Sequence, residues 1–132
     1  MKSRRRFGFT GRALVALVSV AVGLVLAGSA AASCLPQNAA EQRARATVIF
    51  NGVALEGPTA TGVQRFRVNR YLKGSGPKVV RVATGVVRNP DGSGSITSVS
   101  LMVKRGEHWR IFARGKAAKV LESNQCSGSR KI

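Results

Sequence analysis

A chain of 132 residues with 22 lysines and arginines against five acidic residues, a formal charge of +17, has room for one small domain and few acids with which to build a catalytic centre. It holds a single histidine, His108, a single aspartate, Asp91, and four scattered glutamates, Glu41, Glu56, Glu107 and Glu122. Neither a Gly-x-Ser-x-Gly elbow nor a phosphate-binding glycine loop occurs, residues 74–78 lacking the spacing of the latter, so an enzyme is not expected and no cofactor is implied.

The first segment reads as an export signal. Lys2, Arg4, Arg5 and Arg6, with Arg12 further on, precede an unbroken apolar run over residues 13–27 that ends in the small residues 28–33. A permanent anchor would need about 20 apolar residues without a small-residue cleavage site after them. Residues 1–33 are therefore predicted to be a signal peptide and 34–132 the mature domain, with no transmembrane segment of its own. Ser3-Arg4-Arg5-Arg6-Phe7 resembles the twin-arginine export signature of bacteria, although arginine-rich starts also occur in ordinary signals. Cleavage after Ala32 leaves Ser33 at the new terminus, and cleavage after Ser33 leaves Cys34. The predicted location is the bacterial cell envelope or the medium.

Removing that segment takes five basic residues and no acid, leaving 17 basic against five acidic groups, a formal +12. Such a domain attracts polyanions in a salt-dependent way. Outside a cell the available anions are lipid, cell-wall polymers and released nucleic acid. Two cysteines, Cys34 and Cys126, allow one pairing in an oxidising compartment, and closing so long a loop contributes on the order of 4 kcal/mol. The alternatives are two separate thiols, or a Cys34 lipidated as in bacterial lipoproteins, for which the usual leucine three positions earlier is missing.

Along the mature chain, residues 36–46 suit a short peripheral helix with Pro36 near its first turn. Residues 47–55 are rich in β-formers and punctuated by Gly52, which predicts a strand with a bulge or bend. After the break at residues 56–59, residues 63–72 predict a second strand in which Phe66 and Val68 alternate with Arg65, Arg67 and Asn69. Residues 73–77 form a turn. Residues 78–83 alternate again, Val80 and Val82 opposed to Val79 and Arg81, and residues 88–95 form a polar loop around Pro90-Asp91-Gly92. Three more segments follow, 96–103, 108–113 and 119–121. In the middle one Trp109, Ile111 and Ala113 share one face and His108, Arg110 and Phe112 the other, as in a central strand apolar on both sides.

This spacing predicts an all-β barrel or sandwich with one short peripheral helix, its five or six strands fitting a small closed barrel of the oligonucleotide/oligosaccharide-binding (OB) type, with no repeat, linker or second domain. Glu107 and His108 point to opposite faces of a strand and do not chelate together, so no metal site is expected. Arg65, Arg67 and Arg70 form a candidate basic binding surface beside Tyr71. The aromatics Phe50, Phe66, Trp109 and Phe112 sit mostly at core-patterned positions rather than among the charges, which speaks against a specific nucleic-acid site and for a solvated basic face.

The order of several segments resembles a family. Cys34 after the signal, Thr47-Val-Ile-Phe-Asn-Gly-Val53, Phe66-Arg-Val-Asn-Arg-Tyr-Leu-Lys-Gly74, Val103-Lys-Arg-Gly-Glu-His-Trp-Arg-Ile-Phe-Ala113 and Cys126-Ser-Gly-Ser129 look like bacterial secreted domains related to tissue inhibitors of metalloproteinases and to netrin-like modules. The resemblance spans nearly the whole mature chain. It implies a five-stranded OB barrel whose N-terminal segment is tied by a Cys34–Cys126 disulfide to the C-terminal end. It also implies an inhibitory edge, Cys34 with Leu35, in which a terminal Cys34 would chelate a protease's zinc through its amine and carbonyl. The second cysteine of the animal inhibitors' Cys-x-Cys start is replaced by Pro36, and the mid-chain cysteine of many bacterial relatives is missing, the equivalent loop being residues 93–100. The predicted function is thus a non-catalytic binding module for a protein or an anionic envelope polymer, with metalloprotease inhibition as the alternative.

Overall fold

The computed structural model describes Cys34, Leu35 and residues 37–132, which lie in one compact unit. The predicted signal peptide and Pro36 lie outside the described residues. The order of elements is a helix α1 (Ala39–Arg45), strands β1 (Val48–Ala54), β2 (Val63–Lys73), β3 (Val79–Ala83), β4 (Val87–Arg88), β5 (Gly94–Ser95), β6 (His108–Ala113) and β7 (Val120–Glu122), a 3₁₀ turn (Gln125–Ser127), and β8 (Arg130–Lys131). Among the described residues no helix is long and apolar enough to cross a membrane.

Helix α1 begins three residues later than Pro36 because Asn38 caps it, its side-chain oxygen accepting from Glu41 N–H at 2.9 Å. None of its residues is buried. Polar ties dock it instead: Lys73 donates to the Arg43 carbonyl at 2.7 Å, a cation at the helix C-terminus, and Arg43 donates to the Leu72 carbonyl at 3.2 Å. Below it Ala46, Ile49 and Phe112, with Leu72 against them, make a small second core.

The main sheet has six strands in the order β7-β3-β2-β1-β6-β8, antiparallel except for the β3–β7 pair. It curls around a core that includes Phe50, Phe66, Val80, Val82, Leu101 and Ile111. The curl is set where β1 meets β2. Two register shifts, between Ile49 and Phe50 and between Asn51 and Gly52, leave extra residues on β2 and bend it. Gly52 is required there, because a Cβ would lie 2.7 Å from the Arg67 carbonyl oxygen.

The closed five-stranded barrel expected from the sequence is not formed. Its seam would need a continuous ladder between β6 and β7, but β7 is only three residues long and its three residues pair with β3. Among the described residues one main-chain bridge, in which Arg114 and Glu122 exchange two backbone hydrogen bonds of 2.9 Å, joins the two ends. The free side of β6 is taken by β8 at Trp109 and Arg110 and by serine side chains beyond it. Ser129 Oγ accepts from Phe112 N–H at 2.8 Å, and Ser123 donates to the Phe112 carbonyl at 2.8 Å. The result is a six-stranded half-barrel bridged by side chains.

The Cys34–Cys126 disulfide is formed, with Cα atoms 5.2 Å apart across a sequence separation of 92. Of the two cysteines neither is free, which removes separate thiols and a lipidated Cys34 from the alternatives. The expected strand at 96–103 is also absent. Ser100 N–H bonds back to the Thr97 carbonyl at 3.1 Å while Ser100 Oγ takes the Thr97 N–H at 3.0 Å, folding the segment into a turn. Leu101 and Val103 then enter the core from an irregular connection. The polar loop at 88–95 contains instead the two-residue strands of a β4–β5 hairpin.

Candidate binding surface

Each strand of the curled sheet turns one set of side chains to the core and the alternate set outward. On β2, Gln64 and Phe66 are fully buried while Arg65 and Arg67 are exposed. On β6, Ile111 is buried, and Arg110 lies on the other face. Cross-strand pairing then collects the outward residues into rows. Arg81 on β3 stands directly opposite Arg65. The next row runs Val79, Arg67, Val53, His108 across β3, β2, β1 and β6. The third runs Arg70, Asn51, Arg110, Arg130 across β2, β1, β6 and β8. Neighbouring strands lie about 4.8 Å apart, so six guanidinium groups share one face.

The partners of those groups differ. Arg65 is neutralised: its Nε and Nη2 donate to the two Glu56 oxygens at 3.2 and 3.1 Å, and its backbone N–H donates to Glu56 Oε1 at 2.9 Å. The Arg65 side-chain bond is the main reason the Glu56 carboxyl titrates below its ordinary range. Arg110 Nε donates to Asn51 Oδ1 at 2.9 Å, which fixes its direction without cancelling its charge. The Arg130 guanidinium lies 5.7 Å over the Phe112 ring. Among the described residues Arg67, Arg70 and Arg81 make neither an ion pair nor a side-chain hydrogen bond.

Of the two arginine–arginine pairings, Arg65 with Arg81 is relieved by Glu56, while Arg110 with Arg130 sets like charges directly opposite each other, an arrangement that destabilises a sheet. The chain matches no protein-family model and no curated protein. The functional reading therefore rests on this geometry.

The sequence-predicted residues fall into three groups. Arg65, Arg67 and Arg70 do lie on one exposed strand, although Arg65 is occupied by Glu56. Tyr71 is not beside them: the bulge turns its ring inward, 6.2 Å from Phe50, and its hydroxyl donates to the Pro77 carbonyl at 2.7 Å. Burial there raises the Tyr71 pKa above its ordinary value. Cys34 is held in the disulfide, and Leu35 beside it is 78% exposed.

Sequence reasoning missed Arg81, Arg110, Arg130 and Asn51. The outward position of Arg81 was visible in its alternation with Val80 and Val82, but the pairing that aligns these four was not. It also gave Glu107 no role beyond a strand position facing away from His108. Glu107 instead ties three elements together, accepting from Lys104 N–H at 2.9 Å, Trp109 Nε1 at 3.0 Å and Lys131 Nζ at 2.9 Å. The Lys104 backbone bond leads in lowering its pKa to about 2, followed by those from Lys131 and Trp109.

A groove between α1 and the C-terminal turn is lined by Gln42, Arg45, Phe112 and Ser123. Next to it the hydroxyls of Ser123, Ser127 and Ser129 are mutually bonded at 2.8–3.1 Å, and their other partners are main-chain groups of Phe112 and Asn124. These bonds latch the C-terminal turn onto β6. Among the described residues no group of three His, Cys, Asp or Glu side chains comes together to hold a metal.

Proposed function

We propose that the protein is an exported, non-catalytic binding module that holds an anionic partner, an envelope polymer or an acidic protein surface, on the outer face of its curled sheet. The observation that carries this reading is a face of six arginines on which Arg110 stands directly opposite Arg130 and Arg67, Arg70 and Arg81 have no side-chain partner among the described residues, Glu56 pairing with Arg65. Such an arrangement costs stability when empty and gains when an anion lies across it. Export is supported by the disulfide, which persists in oxidising compartments. The strand order β7-β3-β2-β1-β6 with its parallel β3–β7 pair supports the OB-type resemblance, and the Cys34–Cys126 link supports the netrin-like one.

Titrating the protein with long-chain polyphosphate at two salt concentrations tests the reading. Affinity falls as salt rises, and the triple variant Arg67→Ala, Arg70→Ala, Arg81→Ala, whose wild-type side chains make no hydrogen bond or ion pair among the described residues, binds at least tenfold more weakly. Equal binding by variant and wild type would refute it.

A second reading, metalloprotease inhibition through Cys34 and Leu35, is favoured by the exposure of Leu35 next to the anchored Cys34. Inhibition of a zinc protease that disappears when one residue is added before Cys34, and does not depend on salt, supports this reading over the first.

A further inference from the structure

A second surface lies away from the arginine rows. The β4–β5 hairpin and the connection that carries Leu101 and Val103 into the core leave a groove between them, lined by Pro58, Val87, Ile96 and Met102 with Arg88 and Lys104 as its charged members. Ile96 is 58% exposed and Met102 48%, although both belong to a segment whose Leu101 and Val103 are buried. Single exposed apolar residues are ordinary, but two large ones lining one groove form a surface suited to being covered.

The backbone along this groove is also free. Leu101 N–H bonds the Thr84 carbonyl at 2.8 Å and the Val103 carbonyl accepts from Gln64 Nε2 at 3.1 Å. Between them, Met102 makes no backbone–backbone hydrogen bond among the described residues, and neither does Ile96 just beyond β5. Backbone with unused donors and acceptors beside apolar side chains is a place where a partner's main chain can add hydrogen bonds.

We propose that this groove binds an extended segment of a partner protein in which apolar residues alternate with acidic ones. The apolar side chains would cover Ile96 and Met102, the acidic ones would meet Arg88 and Lys104, and the segment's main chain would pair with the free edges. Charge selects the occupant. No carboxylate lines the groove, residues 34–132 carry 17 basic against five acidic groups, and residues 1–33 carry five basic groups and no acid. A second copy of this chain, or its own N-terminal segment, would bring positive charge to a positive rim.

The test is a nuclear magnetic resonance titration of the full chain with a seven-residue peptide alternating glutamate with valine and isoleucine, run beside its lysine counterpart and decanoate. The glutamate peptide is expected to shift the amides of residues 95–97 and 102, and Met102→Gln and Ile96→Thr to weaken it at least fivefold each. Both residues are exposed, so the variants should keep the wild-type melting temperature. The Arg67, Arg70, Arg81 triple alanine variant should bind the peptide as wild type does, which separates this proposal from the basic-face reading. Equal binding of the lysine peptide, shifts confined to the arginine rows, or decanoate shifting the groove amides when the peptide does not would each overturn the proposal.

Discussion

The two faces of the curled sheet are made by the same strands and obey opposite rules. On the inner face even the polar group is provided for: Gln64, fully buried, donates to the Glu56 and Val103 carbonyls at 3.0 and 3.1 Å and accepts from Thr84 at 3.0 Å. On the outer face Arg67, one strand position from buried Phe66, has no partner, and Arg81 faces Arg65. Away from the small second core of Ile49 and Phe112, apolar burial lies on the inner side of the strands. The outer side carries arginines of which Glu56 pairs Arg65, and it is the side on which we propose that an anion binds.

The largest expected effect belongs to neither face. Cys126→Ser opens the 92-residue separation and should cost about 4–5 kcal/mol through the unfolded chain, read as a fall in urea midpoint. Anion binding measured below the new melting point should survive; its loss would tie the surface to the staple. On the inner face, Phe66→Ala removes a ring with no exposure and should cost about 3–5 kcal/mol in the same assay.

Acid should act at Glu107. Its folded pKa of about 2 lies below its ordinary value of 4.5, so its contribution is complete above the unfolded pKa and is lost as pH falls from about 4.5 through 2. Glu107→Gln should flatten the stability curve across that window by on the order of 2–3 kcal/mol; an unchanged curve would remove Glu107 from its tying role. The smallest effect is on stability at the outer face. Arg81 stands opposite an Arg65 already paired with Glu56, so Arg81→Thr should change stability by less than about 0.5 kcal/mol while weakening polyanion binding. A destabilised variant would mean that the outer face supports the fold as the inner one does.

Much of the inner face was legible because alternation reports it directly: Phe66 and Val68 against Arg65 and Arg67, and Val80 and Val82 against Arg81. The strand misread at 96–103 shows the limit of that signal. An apolar pattern is equally served by a turn that plugs the core, and the Thr97–Ser100 hydrogen bonds decide between the two. The β4–β5 hairpin and β8 have two residues per strand and too little pattern to see. Barrel closure depended on the length of β7, and the row Arg70, Asn51, Arg110, Arg130 on the register of four strands distant in sequence. Register is set by two shifts, one between Asn51 and Gly52, which the glycine marks without saying how far the pairing moves, and one between Ile49 and Phe50, which no residue marks.

Mapping amide chemical shifts of the full chain during titration with polyphosphate at low salt tests binding at the outer face. The largest changes are expected at Asn51, Arg67, Arg70, Arg81 and Arg110, reversed by added salt. Changes centred on Leu35 and Cys126, or spread evenly over all exposed lysines and arginines, would contradict it.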